Sequence, residues 1–108
     1  MADWVVNTDA LGPEKVLHVY DAKTGLKGVV VVDTTSLVGS AGGTRMLPDI
    51  TTEEIFGLAR AMTYKFAMLD FPIGGAKAGI WAAPDIHGAM RRDLIRYWVW
   101  HRYLYHPE

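Results

Sequence analysis

The sequence contains no cysteine among its 108 residues. This absence excludes disulfides, thiolate metal ligands and cysteine nucleophiles, and it is compatible with a reducing compartment. A surplus of one charge is absent as well, because 11 Lys and Arg are balanced by 12 Asp and Glu. Phosphate binding requires clustered surplus cations, so we expect no nucleic-acid partner.

Long apolar runs are also absent. No stretch approaches the roughly 20 apolar residues that cross a bilayer. The opening "MADWVVNTDALG" lacks the basic and apolar segments of a secretory signal. We therefore expect no membrane partner and a cytoplasmic location. Because 50% of the residues are apolar, residues 1–108 suffice for one small domain and are too few for a second.

Two short segments rich in β-branched residues are predicted to form strands. Lys15 to Tyr20 and Leu26 to Asp33 are predicted to be strands of a hairpin, joined by a Gly-containing turn around Asp21 to Gly25. The run "VVVV" at Val29 to Val32 lacks polar alternation, which predicts a central strand covered on both faces. The Gly-, Ser- and Thr-rich segment Thr34 to Arg45 is predicted to be a loop.

A helix is predicted to follow this loop. Thr51 and Glu54 have the spacing of a capping box, which satisfies orphan N–H groups at a helix start. Arg60 and Tyr64 are predicted to point away from the buried face, and Lys65 lies at its border, where its stem can cover apolar surface. The apolar residues at three- and four-residue spacings predict the buried face: Ile55, Leu58, Ala59, Met62, Phe66 and Leu69.

The helix is expected to stop at Asp70 to Pro72. Gly74 to Ala82 is then predicted to be a strand in which Lys77 shares a face with Gly79 and Trp81. A second helix is predicted from Ala89 to about Tyr105. This order of elements predicts an α/β fold, a single domain with a mixed β-sheet flanked by helices.

The Gly-rich stretches do not match the known nucleotide motifs. "GGAK" at 74–77 lacks the Gly-Lys-Ser/Thr of a phosphate-binding loop, and "GSAGG" at 39–43 lacks the G-x-G-x-x-G fingerprint of dinucleotide sites. His87, His101 and His106 do not have the spacing of a helical zinc site, so no metal is expected. No cofactor site is therefore predicted in this chain.

Three motifs are more informative as a set. They are "GGTRM" at 42–46, "MTYK" at 62–65 and "GGAK" at 74–77. In this combination and order, the sequence resembles the amino-acid dehydrogenases that act on glutamate, leucine, phenylalanine and valine. The resemblance runs from about Lys15 to Arg92 and covers the amino-terminal domain of that family, which dimerises and holds the substrate.

The resemblance implies a role for each motif. Lys65 would bind the α-carboxylate of the substrate. Lys77 would be the catalytic lysine that activates water at the imine carbon during reversible oxidative deamination, which requires a partly neutral amine. Gly42, Gly43 and Met62 would line the substrate pocket.

The resemblance also bears on the substrate. Glutamate-specific members usually carry a lysine immediately before the glycine pair, and this sequence has Ala41 there. An apolar amino acid is therefore expected. The stretch "KFAMLDFPIGGAKAGI" is closer to the glutamate branch, so glutamate stays an alternative. Gly74, Gly75 and Gly79 would let the substrate approach the backbone closely.

Full-length members use NAD or NADP, bound by a second domain that follows this one, together with an aspartate that shuttles protons. We expect neither in residues 1–108, and we expect no dehydrogenase turnover by the chain alone. A truncated or engineered domain is one interpretation of this pattern.

Two other functions stay open. The chain could be a self-associating structural or interaction scaffold in which Lys77 is only a solvated strand charge, or a sensor that retains carboxylate binding. In each case we expect a homodimer or higher homo-oligomer, through an edge strand at Lys15 to Tyr20 and an aromatic carboxyl-terminal helix. The aromatic stretch "YWVWHRYLY" at 97–105 supplies more apolar surface than one core can cover.

Overall fold

A computed structural model of the chain describes residues 8–35 and 39–83 together with residue 92. Strands β1, Lys15–Asp21, and β2, Leu26–Val32, form an antiparallel hairpin. The Asp21 carboxylate closes the turn by accepting hydrogen bonds from the Thr24 N–H and hydroxyl, at 2.9 and 2.8 Å. Gly25 follows with a φ of 76°, a conformation that glycine adopts without strain. The predicted hairpin is confirmed.

The rest of the sheet assembles on the other side of β2. Strands β3, Ser40–Ala41, and β4, Thr44–Leu47, precede the helix, and β5, Gly74–Trp81, follows it. Strand β5 pairs antiparallel with β2 and parallel with both β3 and β4. The mixed sheet is therefore confirmed, and β1 lies at one edge of the strands that the structure describes.

The prediction that Thr34 to Arg45 is entirely a loop is wrong. Part of this segment pairs with β5, and the pairing continues between β3 and β4, where the Ala78 N–H donates to the Gly43 carbonyl at 3.0 Å. Glycine, serine and threonine disfavour strands locally. Here the partner strand supplies the hydrogen bonds, so tertiary context outweighs propensity.

Helix α1 spans Thr52–Met68. Its start is the predicted one, because the Thr51 hydroxyl accepts a hydrogen bond from the Glu54 N–H at 3.0 Å. The Glu54 carboxylate accepts a hydrogen bond from Arg45 at 3.3 Å. Leu69, predicted to be buried, is 55% exposed because it caps the helix end and no longer follows the helical stripe.

Apolar side chains are buried on both faces of the sheet. Those between α1 and the sheet are Val29, Val31, Ile50, Ile55, Phe56 and Ala59. Those on the opposite face are Leu26, Ala78 and Ile80. Burial of each large side chain contributes about 1.5–3 kcal/mol. Strand β2 contributes to both clusters, which confirms that it is a central strand covered on both faces.

Helix α1 lies unusually close to the start of β5. A Cβ added to Gly75 would lie 2.1 Å from the Ala59 carbonyl oxygen and 2.4 Å from the Thr63 nitrogen. A Cβ added to Gly79 would likewise meet the side chains of Ile50 and Ile55. The expectation that Gly75 and Gly79 admit a substrate is therefore wrong, because protein atoms occupy the clearance they provide. Gly74 likewise lies against the Thr34 carbonyl.

The predicted second helix falls outside the described residues, apart from Arg92. The same is true of the three histidines at 87, 101 and 106 and of the aromatic stretch at 97–105. Within the part of the chain that the structure describes, no helix has the length and apolar character needed to cross a membrane.

The close approach at Gly75 gives a stability prediction. Gly75→Ala should destabilise the protein by about 1–3 kcal/mol or more, because the new methyl group meets helix backbone that cannot rotate away. Urea unfolding followed by circular dichroism measures this change.

Gly57→Ala is the matched control. Among the described residues, and apart from the backbone of α1 itself, no atom lies within 4 Å of a Cβ at Gly57, an exposed position inside the helix. Alanine should therefore stabilise the helix there by about 0.5–1 kcal/mol. Equal effects of the two substitutions would contradict the packing described at Gly75.

Candidate functional site

The half-buried Lys77 lies in the middle of β5. Its side chain shares the helix-facing side of the strand with Gly75 and Gly79, because alternate residues of a strand point to the same face. On the far side from β2, the strand pairing brings Gly43 alongside Lys77. A Cβ at Gly43 would lie 3.4 Å from Lys77 Nζ. The structure therefore brings these two predicted site residues together.

Gly42 and Gly43 differ in their surroundings. A Cβ at Gly42 would lie 1.5 Å from the Ala76 carbonyl oxygen, so any side chain there would collide with the β5 backbone. At Gly43, by contrast, the nearest atom is the terminal nitrogen of a flexible lysine. Gly42 therefore lets the backbones pack, and Gly43 leaves space beside the Lys77 amine.

Met62 and Lys65 lie on one flank of α1. Together with Leu58 they follow each other at spacings of four and three residues, which places them in one row along the helix. Phe56 and Arg60 form the opposite flank, which faces the end of β2. The row with Met62 and Lys65 therefore lies on the flank of α1 that faces away from the end of β2.

The site residues differ in exposure. Met62 and Lys77 are half-buried, and Lys65 and Gly43 are exposed. Lys65 and Lys77 place two amines on neighbouring elements, α1 and β5, and an amine is a hydrogen-bond donor for a small anion. A carboxylate there would form charge-assisted hydrogen bonds, about twice as strong as neutral ones.

A second polar cluster was not predicted from the sequence. The fully buried Asp33 follows β2, and its carboxylate pairs with Arg60 through Nε at 2.8 Å and Nη2 at 3.1 Å. Arg60 also reaches Asp9 at 2.8 and 2.9 Å. Its guanidinium carbon lies 5.0 Å from the centre of the Phe56 ring.

The prediction that Arg60 points away from the buried face is therefore wrong. The side chain lies along the Phe56 flank and reaches inward to a buried acid. The signal in the sequence was "VVVVD": an acid that ends a fully apolar strand needs a buried cationic partner.

The ion pairs shift two pKa values. Hydrogen bonds from the Arg60 guanidinium, together with backbone N–H groups of Gly12 and Leu11, hold the pKa of Asp9 well below its usual range. The hydrogen bonds to Asp9 and Asp33 raise the pKa of Arg60 further above its usual value. Both pKa shifts favour the charged forms of the paired groups.

Thr63 extends the cluster toward β5. Its hydroxyl donates to Asp33 Oδ2 at 2.7 Å and accepts from the Gly75 N–H at 3.0 Å. The Asp33 N–H in turn donates to the Gly75 carbonyl at 2.8 Å. The cluster therefore joins the end of β2, the start of β5 and the middle of α1.

The mixed sheet with α1 packed on one face defines a small α/β domain, and comparison with known proteins identifies its family. Residues 13–98 match the sequence model of the family described as Glu/Leu/Phe/Val dehydrogenase, dimerisation domain. The chain therefore belongs to the Glu/Leu/Phe/Val dehydrogenase family, in agreement with the resemblance seen in its motifs.

Individual relatives agree with this assignment. The valine dehydrogenase of Streptomyces virginiae is 39% identical over 83 residues, which are 73% of this chain and 23% of that protein. The crystal structure of L-tryptophan dehydrogenase from Nostoc punctiforme gives a TM-score of 0.68 at 36% identity, over 82% of this chain and 27% of that one.

A third comparison extends to the glutamate enzymes. The hetero-hexameric glutamate dehydrogenase from Thermus thermophilus, in its Leu-bound form, gives a TM-score of 0.72 at 28% identity, over 82% of this chain and 23% of that one. The chain thus spans about a quarter of the length of the relatives it matches.

The lowered pKa of Asp9 predicts a pH dependence. A carboxyl group whose pKa is lower in the folded state stabilises that state above its unfolded pKa, which is near 3.8, and the stabilisation is lost as the pH falls toward the folded pKa. Asp9→Asn should therefore lower the free energy of unfolding at pH 7. The difference from the wild type should shrink below about pH 4.

Urea unfolding of both proteins at neutral pH and at about pH 3 measures this change. Asp49→Asn, which removes an exposed carboxylate elsewhere on the surface, is the control. A difference between Asp9→Asn and the wild type that stayed constant over this range would contradict the ion pair.

Proposed function

We propose that this chain is the substrate-binding and dimerisation domain of an amino-acid dehydrogenase. One observation carries the proposal: Lys77 Nζ lies beside Gly43, on the flank of the domain that also bears Met62 and Lys65. Family membership supports it. The ligand would be an amino acid or its 2-oxo acid, lying between the two amines.

Lys65 is the carboxylate-binding residue in this proposal. It is exposed near the end of α1, where its charge also complements the negative end of the helix dipole. Its long stem can extend over the half-buried Met62 toward the edge of the sheet. A substrate carboxylate held there would place the α-carbon near Lys77.

Lys77 is the catalytic residue in this proposal. In its neutral form the amine would take a proton from a water molecule as that water adds to the imine carbon of the oxidised substrate. The reverse transfer would return the proton during amination.

The glycine-rich segments of this chain do not fit a nicotinamide nucleotide. Gly42 and Gly75 lie against the backbone of β5 and α1, so they do not form an open cradle for phosphates. The dinucleotide fingerprint is also absent from the sequence. We therefore assign no residue of this chain to NAD or NADP and derive no hydride-transfer step from it.

The proposed substrate is an apolar amino acid. Ala41 provides no cation that could meet a side-chain carboxylate, and it lies in β3 beside the start of β5. Glutamate is the second candidate, because one of the similar structures is a glutamate dehydrogenase.

A homo-oligomer is part of the proposal. Among the strands that the structure describes, β1 lies at an edge of the sheet, and in this proposal the edges of two copies pair across a two-fold axis. The matched family model describes a dimerisation domain, and the similar Thermus enzyme is a hetero-hexamer.

A self-associating scaffold without catalytic duty is the alternative. The exposed apolar side chains of Met68, Leu69 and Phe71, at and beyond the end of α1, favour it. Contiguous exposed apolar side chains mark interaction surfaces more often than ligand sites.

Ligand binding distinguishes the two functions. Calorimetric titration with leucine, valine, glutamate and their 2-oxo acids should show binding, with the apolar ligands preferred. Lys65→Ala should weaken it at least about tenfold, because it removes a charge-assisted hydrogen bond. Lys23→Ala, an exposed lysine in the β1–β2 turn, is the control. Absence of binding to every ligand would favour the scaffold.

The space at Gly43 gives an independent test. Gly43→Val should abolish ligand binding, because the new side chain would occupy the position beside Lys77 Nζ. It should change stability much less than Gly75→Ala, because in the described part of the chain a Cβ there would meet the movable Lys77 Nζ and not the backbone. The thermal midpoint and the calorimetric affinity measure the two effects. Binding at wild-type affinity by this variant would rule out a ligand at this edge.

A further inference from the structure

The hydrogen bonds around Asp33 close into a ring. The Asp33 N–H donates to the Gly75 carbonyl, the Gly75 N–H donates to the Thr63 hydroxyl, and that hydroxyl donates to the Asp33 carboxylate, at 2.8, 3.0 and 2.7 Å respectively. Each member satisfies a polar group of the next. This Asp33–Thr63–Gly75 ring connects β2, α1 and β5.

The ring is two residues away from each site lysine along the chain. Thr63 precedes Lys65 on α1 by two residues, and Gly75 precedes Lys77 on β5 by two residues, on the same face of the strand. Any sliding of α1 along β5 would therefore change the separation of the two amines. Apolar packing between α1 and the sheet is non-directional, so it resists such sliding less than directed hydrogen bonds do.

The Thr63 hydroxyl has a specific task in the ring. It can donate only one hydrogen bond. The hydroxyl donates it to the charged Asp33 oxygen, because that contact is short and the other acceptor, the Ala59 carbonyl, is 3.4 Å away. Its lone pair is thereby left to accept from the Gly75 N–H. Only a hydroxyl side chain of this size both donates and accepts there. Valine has the same shape and does neither.

The charge of Arg60 keeps the ring in one arrangement. Its two hydrogen bonds hold both oxygens of the Asp33 carboxylate, so the oxygen that accepts from Thr63 has a fixed direction. The ring is therefore held from the flank of α1 opposite to the site.

We propose that Thr63 is a positioning residue: its hydroxyl, directed by Asp33, fixes the register of α1 against β5 and with it the separation of the Lys65 and Lys77 amines. The inference rests on the proposed function, in which both amines act on one ligand. It adds Thr63 to the proposed site as a residue that acts on the two lysines indirectly, through the backbone of Gly75.

The test compares Thr63→Val with Thr63→Ser. The first readout is the calorimetric affinity for the amino acid that binds the wild type best. The second needs no ligand: it is the rate at which limiting acetic anhydride labels Lys77 relative to the surface residue Lys23, measured by mass spectrometry. Val30→Ala, a packing change on the opposite face of the sheet, controls for general destabilisation.

Thr63→Val should weaken binding about tenfold and change the labelling ratio of Lys77 about threefold, because small displacements of reacting groups have large effects. Thr63→Ser should stay within about twofold of the wild type in both, because it keeps the hydroxyl. Should Thr63→Val fail to fold, Thr63→Ala removes the same hydroxyl with a smaller side chain.

The outcomes separate this inference from the proposed function. An unchanged labelling ratio in a folded Thr63→Val protein would overturn the positioning role, and so would an equal change in Val30→Ala. A wild-type protein that binds no amino acid would overturn the proposed function. In that case a changed Lys77 labelling ratio in Thr63→Val alone would still support the register that Thr63 imposes.

Discussion

The buried carboxylate of Asp33 is the constraint around which the described part of this domain is arranged. A carboxylate with no exposure to water costs several kcal/mol unless cations and hydrogen-bond donors surround it. Arg60 and Thr63 supply them from α1. Breaking such a buried pair typically costs about 3–5 kcal/mol. Helix α1 therefore cannot rotate about its axis without leaving this charge unpaired.

The orientation that Asp33 imposes determines the two flanks of the helix. The flank with Phe56 and Arg60 faces the end of β2 and is occupied with structural contacts. The flank with Met62 and Lys65 consequently faces away from the end of β2. In the proposed function, this second flank is the one that meets the ligand. The close approach at Gly75 brings α1 and β5 within hydrogen-bonding distance of each other.

Local signals predicted much of this fold from sequence. The turn at Asp21 to Gly25 and the cap at Thr51 depend on neighbouring residues, so their patterns were sufficient. Strands β3 and β4 were missed because only pairing with the distant β5 makes them strands. The direction of the Arg60 side chain was predicted wrongly for a related reason. Helical spacing gives the side of the helix on which a residue lies, but a long side chain can reach a charge beyond that side.

The predictions for the site came from two sources. Residue physics alone gave Lys77 as either a solvated charge or a reactive amine, and the roles of Lys65, Gly42 and Gly43 came from the resemblance of three motifs. The structure adds what neither source contained, because Gly42 and Gly43 have separate surroundings despite their adjacency. One allows two backbones to meet, and the other leaves space beside an amine. Two adjacent identical residues of one motif therefore meet different constraints: among the described residues, a side chain at Gly42 would collide with the β5 backbone, and one at Gly43 would meet the end of a flexible lysine.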